Sequence, residues 1–210
     1  MRVRKAGQDD REAVARLLFH SAPDMYERFS GGRERALATL ERAFDEPGNL
    51  ASGEVTWVAE VNGTPAAAMA AFPVAEAAER SRAYMAITLR RTPVWRWPGV
   101  LWLYWVGGRA SPSPRENSFY IDALATDPAL RRRGAARALL DEAERLARSQ
   151  GLPAVSLDTT LTNEGARALY AAAGFDEVAY RAPSRGLPGF VALVKPVADL
   201  QAQVRPSRAN

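Results

Sequence analysis

One stretch of the chain reads Tyr120-Ile-Asp-Ala-Leu-Ala-Thr-Asp-Pro-Ala-Leu-Arg-Arg-Arg-Gly-Ala-Ala136. A short apolar strand runs up to a turn at Asp127-Pro128, and Arg131–Arg133 with Gly134 then open a long amphipathic helix. Backbone N–H groups gather at the positive end of a helix dipole, and a glycine lets an anion approach the main chain closely. Three cations at a helix start oppose that dipole unless an anion lies between them. The stretch therefore predicts a seat for a phosphorylated ligand.

The bulk composition limits the chemistry that the chain can carry out. Its 210 residues suggest one domain, and 47% hydrophobic with 25% charged residues is ordinary for a globular protein. The absence of cysteine excludes disulfides and thiolate metal sites. The only histidine, His20, argues against a histidine metal cluster or a Ser-His triad. We therefore expect no metal.

Charge and hydropathy predict a cytoplasmic protein without a nucleic-acid or membrane partner. The net charge of +4 and the pI of about 9.7 are compatible with nucleic acid, but no basic run with interleaved aromatics occurs, so a solvated surface is the better interpretation. The N-terminus lacks the apolar region of a signal peptide. The most apolar run, 100–106, is too short to cross a bilayer.

Hydrophobic periodicity predicts alternating strands and helices. Asn62-Gly63 between two apolar runs predicts a hairpin, and residues 136–147 form one helical stripe. Strands are expected at 119–126 and 154–160, with two more near 175–180 and 190–194. The segment 21–32 reads as an irregular connection between two N-terminal helices. We expect one domain over 1–196 and a mobile tail over 197–210.

The least regular segment of the chain is a tryptophan-rich insertion at about 92–117, which holds four of the five tryptophans between Pro93, Pro98 and the Ser111-Pro-Ser-Pro stretch. Such a cluster suits a substrate pocket, a dimer surface or a satellite core. Packing in a core or an interface is the preferred interpretation, and a homodimer is left open.

Two motifs in register resemble the GNAT superfamily of acyl-CoA-dependent N-acetyltransferases. Residues 131–136 fit Gln/Arg-x-x-Gly-x-Gly/Ala, and residues 163–175 fit Asn-x-x-Ala-x-x-Leu-Tyr-x-x-x-Gly-Phe. The match spans about 118–178 in the right order and spacing. The resemblance implies a single α/β domain with a mixed, mostly antiparallel sheet, a splayed central strand pair and flanking helices.

The resemblance also implies a site for acetyl-CoA as cosubstrate. The pyrophosphate fits the helix start, and the amide-rich pantetheine arm resembles a peptide that adds to an exposed strand edge. Ala136 departs mildly from the pattern, which permits it in place of the usual second glycine, and Arg132 departs more, because glycine often holds that position. The residues expected to bind the cofactor are Leu124, Ala125, Thr126, Arg131, Arg132, Arg133, Gly134, Ala135, Ala136, Asn163 and Tyr170.

Three residues are candidates for catalysis. By resemblance, the Leu124 N–H points at the thioester oxygen, where one preorganised donor contributes about 3 kcal/mol. Tyr170 is the candidate general acid for the departing thiolate, although a core tyrosine is the alternative. Asp122 shares a strand face with Tyr120 and is the better candidate for the base or an amine-binding group; an ion-paired or solvated carboxylate is as compatible. Asn163 also suits a helix N-cap.

These residues predict direct transfer of an acetyl group from acetyl-CoA to an amine, without a covalent enzyme intermediate. A small-molecule acceptor is preferred. The first alternative is a protein N-terminus or lysine, and the second is a non-catalytic acyl-CoA-binding sensor, which would retain the phosphate seat without needing Tyr170.

Overall fold

The computed structural model describes residues 1–197 and contains one seven-stranded sheet. Of the predicted tail, Val197 alone is described; its N–H donates to the Pro153 carbonyl, and 198–210 lie outside the described residues. The strands are β1 (Arg2–Lys5), β2 (Thr56–Val61), β3 (Thr64–Pro73), β4 (Ser118–Thr126), β5 (Ala154–Thr160), β6 (Asp176–Arg181) and β7 (Phe190–Pro196).

The sheet order is β1-β2-β3-β4-β5-β7-β6, and β4 with β5 is its parallel pair. All other neighbours are antiparallel. The β2–β3 hairpin turns at Asn62 and Gly63, whose φ angles of 54° and 79° are those that such a tight turn requires. The predicted mixed, mostly antiparallel sheet is confirmed.

Helices cover both faces of the sheet. They are α1 (Arg11–Phe19), α2 (Pro23–Ser30), α3 (Arg33–Asp45), α4 (Ala77–Arg90), α5 (Trp97–Ala110), α6 (Ala135–Ser149) and α7 (Glu164–Ala172). One hydrophobic core joins α6 and α7 to the sheet, and a second joins α1, α3 and part of α4 to the opposite face. The apolar stripe predicted for α6 is buried in the first of these cores.

A β-bulge on β4 and the divergence of β5 create the opening for a ligand. Ala70 pairs with Ala123 while Ala71 pairs with Ile121, so Asp122 is the extra residue on β4. The parallel pairing of β4 with β5 ends at Ile121 and Leu157, although both strands continue beyond it. The predicted splayed central pair is therefore present, and the bulge lies at its start.

Two segments are more regular than the sequence indicated. The predicted irregular connection 21–32 contains helix α2, which starts at Pro23 and ends at Gly31, where φ is 83°. The tryptophan-rich segment contains α5. Its Pro98 does not interrupt the helix, because it lies in the first turn, where a missing N–H costs no hydrogen bond. Proline therefore marks the starts of these helices and was misleading as a sign of irregular chain.

Helix α5 packs through Val100, Leu103 and Val106, which are buried, and leaves Trp102 and Trp105 about half exposed. Leu103 and Val106 belong to a small third core with Leu187. The segment therefore adds Leu103 and Val106 to a satellite core, whereas its four tryptophans are 38–79% exposed and lie outside that core. Core packing is therefore wrong for the tryptophans themselves, and their packing in an interface stays a prediction. Within residues 1–197, none of the helices combines the length and apolarity that a membrane span requires.

Candidate active site

The predicted anion seat is a tight loop leading into α6. A short 3-10 turn over Pro128–Leu130 is followed by Arg132 with φ 63° and by Gly134 with φ 82°. Ala138 makes the first intrahelical bond, to the Gly134 carbonyl, which leaves the N–H groups of residues 135–137 without helical partners. These three N–H groups lie at the positive end of a 15-residue helix. The left-handed conformation at Arg132 explains why a glycine suits that position.

A cleft of about 480 Å³ joins this seat to the gap between β4 and β5. Most of the predicted cofactor residues line it: Leu124, Ala125, Thr126, Arg131, Arg132, Gly134, Ala135, Ala136, Asn163 and Tyr170. Arg133 and Asp122 do not line it. The cleft also includes residues that sequence reasoning did not assign to it: His20, Ser21, Arg137, Gly165, Ala166 and Leu169.

The main chain of β4 presents hydrogen-bonding groups to the gap. The Asp127 N–H donates to the Ala66 carbonyl at 2.8 Å, so the N–H at this position points at β3. The direction of the N–H groups alternates along an antiparallel pair. The Ala125 N–H therefore also points at β3, whereas the N–H groups of Leu124 and Thr126 point away from it. Since β5 has already diverged, the Leu124 and Thr126 groups face the gap. Ala125 meets the cleft, but its N–H is turned toward β3.

Helix α7 supplies the opposite wall of the cleft. The Asn163 Oδ1 accepts from the Ala166 N–H at 3.3 Å, so Asn163 is the N-cap of this helix. Tyr170 is buried, with its ring 5.9 Å from that of Phe175. Burial, and to a smaller extent the negative charge of Asp158, raise the pKa of Tyr170 above its ordinary value. The phenol therefore carries its proton at neutral pH.

Two carboxylates lie where β4 and β5 separate. Asp122 and Asp158 each follow directly after Ile121 and Leu157, the last residues at which β4 and β5 pair with each other. Burial, followed by the Asp158 charge, raises the pKa of Asp122 to about 7. The Asp122 carboxylate accepts no hydrogen bond from residues 1–197. It is therefore set up to take a proton near neutral pH.

Four tyrosines surround these carboxylates. The Asp122 charge acts on Tyr26, Tyr84 and Tyr120, and the Asp158 charge acts on Tyr120 and Tyr170; the pKa of each phenol is raised, chiefly by burial. They come from α2, α4, β4 and α7. The sequence placed Tyr120 and Asp122 on one strand face but did not indicate Asp158. Only the pairing of β4 with β5 brings Asp158 next to Asp122.

The chain is similar to known acetyltransferases in sequence and in fold. Residues 16–175 match the family model described as the acetyltransferase (GNAT) family. An N-acetyltransferase structure from Staphylococcus aureus Mu50 has a TM-score of 0.72 at 21% identity, covering 92% of this chain and all of that one. No curated protein sequence is significantly similar to the chain.

Two more distant structures share the fold. One is a Bacillus subtilis acetyltransferase in complex with CoA, with a TM-score of 0.52 at 12% identity over 94% of this chain and 97% of that chain. The other is the ribosomal-protein-S18-alanine N-acetyltransferase from Escherichia coli, with a TM-score of 0.54 at 15% identity, covering 100% of this chain and 98% of that chain.

Proposed function

Because this chain belongs to the acetyltransferase (GNAT) family and is an acyltransferase that uses acetyl-CoA, we propose that its acceptor is the amine of a small molecule. The observation that carries this proposal is the cover over the open end of the sheet, formed by α2, α5 and the segment 182–189. Leu103 and Val106 of α5 pack with Leu187, and Arg28 of α2 donates to the Gly186 carbonyl at 3.1 Å.

This cover meets the site on two sides. The Asp122 charge acts on Tyr26 of α2, and the Ser111 hydroxyl, directly after α5, donates to Asp158 at 2.7 Å. An extended peptide needs an open groove along its length, whereas here the flanking elements pack on one another. We therefore expect a compact amine as the acceptor. This arrangement favours a small molecule over a protein N-terminus or a lysine side chain.

The cofactor site fits the donors that the chain offers. The free N–H groups of 135–137, with Arg131 and Arg132, suit a pyrophosphate. The main-chain groups of Leu124 and Thr126 suit the amides of a pantetheine arm, which is held as an added strand. Asn163 and Tyr170 line the cleft on the α7 side, where they suit contact with the arm.

In the proposed mechanism each residue acts at one atom. Asp122 takes a proton from the acceptor ammonium, and the free amine attacks the thioester carbonyl. The Leu124 N–H donates to the carbonyl oxygen as it gains negative charge. When the tetrahedral species collapses, the carbon–sulfur bond breaks and Tyr170 donates its proton to the thiolate. The nitrogen then loses its remaining proton to solvent, Asp122 releases the proton that it took, and Tyr170 takes one up again. Both side chains return to their starting states, and no covalent enzyme intermediate forms.

The experiment that tests this function is a thiol-release assay with acetyl-CoA across small amines, polyamines and peptides. We expect turnover with at least one small amine and little with peptides that begin in alanine or serine or contain lysine. Preference for a peptide would establish the protein-acceptor alternative. CoA binding without turnover on any amine would favour the sensor module.

The Arg132 side chain can be separated from its backbone. Arg132→Gly is expected to weaken CoA binding by about 3- to 10-fold, because a charge-assisted contact is lost. It is also expected to raise the free energy of unfolding by up to about 1 kcal/mol, since glycine adopts φ 63° without strain. Calorimetry and thermal unfolding measure the two effects.

Arg185→Gly is the matched control for Arg132→Gly, because Arg185 has φ 53° and does not line the cleft. The control should keep its CoA affinity, and it should gain less stability because its guanidinium lies 5.1 Å from the Trp105 ring centroid and that contact is lost. Equal CoA affinity in both variants would remove the Arg132 side chain from the site.

Other features remain predictions. We expect a cytoplasmic protein without a metal and without a nucleic-acid or membrane partner. A homodimer remains open, and the exposed face of α5 is where such contact would be sought.

A further inference from the structure

Asp158 lies beside Asp122 but has no step in the proposed acetyl transfer. Ile121 pairs with Leu157 in parallel register, and Asp122 and Asp158 follow them on neighbouring strands. Neighbouring strands lie about 5 Å apart, and the pair begins to separate here. Two carboxylates are thus held side by side at the mouth of the gap.

Asp158 is held firmly in place. The Tyr120 hydroxyl donates to its Oδ1 at 2.5 Å, and the Ser111 hydroxyl donates to its Oδ2 at 2.7 Å. Tyr120 is itself fixed by Phe72, with their ring centroids 6.0 Å apart. Each oxygen has one donor, and a carboxylate can accept further bonds. The charge therefore has a defined position and capacity for another donor.

No protein cation neutralises this pair within residues 1–197. Neither Asp122 nor Asp158 lies within ion-pair distance of an arginine, lysine or histidine there. Arg80 approaches the same region over the Phe72 ring at 5.4 Å, but it is paired with Glu54 and Glu76. The two aspartate charges instead contribute to the raised pKa of the phenols on α2, α4, β4 and α7. Since buried charge without a partner is costly, the site is complementary to a cationic ligand.

We propose that Asp158 is a positioning residue that makes the acceptor site specific for amines bearing positive charge and no carboxylate. This inference rests on the proposed function and narrows its substrate class. Asp158 attracts the acceptor ammonium before its proton moves to Asp122. It then stabilises the positive charge that returns to the nitrogen as the carbon–nitrogen bond forms. A carboxylate on the acceptor would be repelled by both aspartates.

The unmodified protein tests the substrate class directly. We would compare each amino acid with the amine that lacks only its carboxylate, using tyramine against tyrosine, agmatine against arginine, and putrescine against ornithine. For accepted pairs, kcat/KM is expected to favour the carboxylate-free amine by at least about 100-fold, a difference typical of an unpaired or repelled charge in a site. Equal use of both members would overturn the inference and leave acetyl transfer intact. Turnover on no amine at all would overturn both.

Asp158→Asn tests the residue itself. Without the Asp158 charge, the pKa of Asp122 falls, so the acidic limb of the kcat/KM profile should move to lower pH by about 1 unit. The preference for the carboxylate-free amine should shrink by about 10-fold, and CoA affinity should be retained. Tyr120→Phe keeps the charge and should move the limb less.

Asp176→Asn is the matched control, because Asp176 is exposed on β6 and lies outside the site. It should change neither the pH profile nor the preference. If Asp158→Asn binds CoA normally but keeps the wild-type pH profile and preference, Asp158 has no positioning role. If that variant does not fold, the amine pairs on the wild-type protein still decide the substrate class.

Discussion

Asp122→Asn is expected to lower kcat/KM by about 10²- to 10⁴-fold, the usual contribution of general base catalysis. An amide cannot take the acceptor proton. In the wild type, activity should rise with pH through the Asp122 pKa of about 7, because the base acts when ionised. The variant should lose this acidic limb. Initial rates across pH 5–9 measure both effects.

Folding and cofactor binding provide the controls for Asp122→Asn. Asp122 does not line the cleft, so the CoA affinity should remain within about twofold of wild type. The raised pKa means that the folded protein binds more protons than the unfolded chain between the ordinary aspartate pKa and about 7. Wild-type stability should thus fall as pH rises through that window, and the variant should lack this fall. A wild-type pH profile in a folded variant would remove Asp122 from the mechanism.

Tyr170→Phe is expected to lower kcat by about 10²-fold or more, because the leaving thiolate loses its proton donor. The substitution removes one hydroxyl and keeps the ring that packs against Phe175. CoA affinity and the midpoint of thermal unfolding should therefore change little. Single-turnover measurement of thiol release reports the chemical step directly.

An unchanged single-turnover rate in Tyr170→Phe would contradict the role of Tyr170 as the general acid and leave a buried core tyrosine. Leu169→Ala offers a comparison on the same helix, since Leu169 lines the cleft without a titratable group. It should affect CoA binding more than the chemical step. This pattern would separate a wall residue from a proton donor.

Local signals predicted the loop and the helix start that line much of the cleft. The turn at Asp127-Pro128, the arginines and Gly134 are adjacent in sequence, so a helix start and its anion seat follow from a single stretch. The Asn62-Gly63 hairpin was equally local. The splayed pair was expected from the family resemblance, and the strand register confirmed it.

Long-range features could not be predicted in the same way. Asp158 looks like an ordinary polar position in an alternating strand, and only the parallel pairing with β4 places it beside Asp122. Helix α5 could not be predicted because proline occurs both in irregular chain and in the first turn of a helix, where Pro98 lies. Its tertiary partner Leu187 lies far along the chain, and burial against it decides the helical face.

The proposed roles of Asp122, Leu124 and Tyr170 all require that the main chain between Leu124 and Ala136 binds CoA. Calorimetric titration of CoA into the folded wild-type protein measures this binding. We expect saturable 1:1 binding with a Kd below about 1 mM, the upper end of ordinary enzyme KM values. A folded protein that takes up no CoA across this concentration range would show that this main chain is not a CoA site.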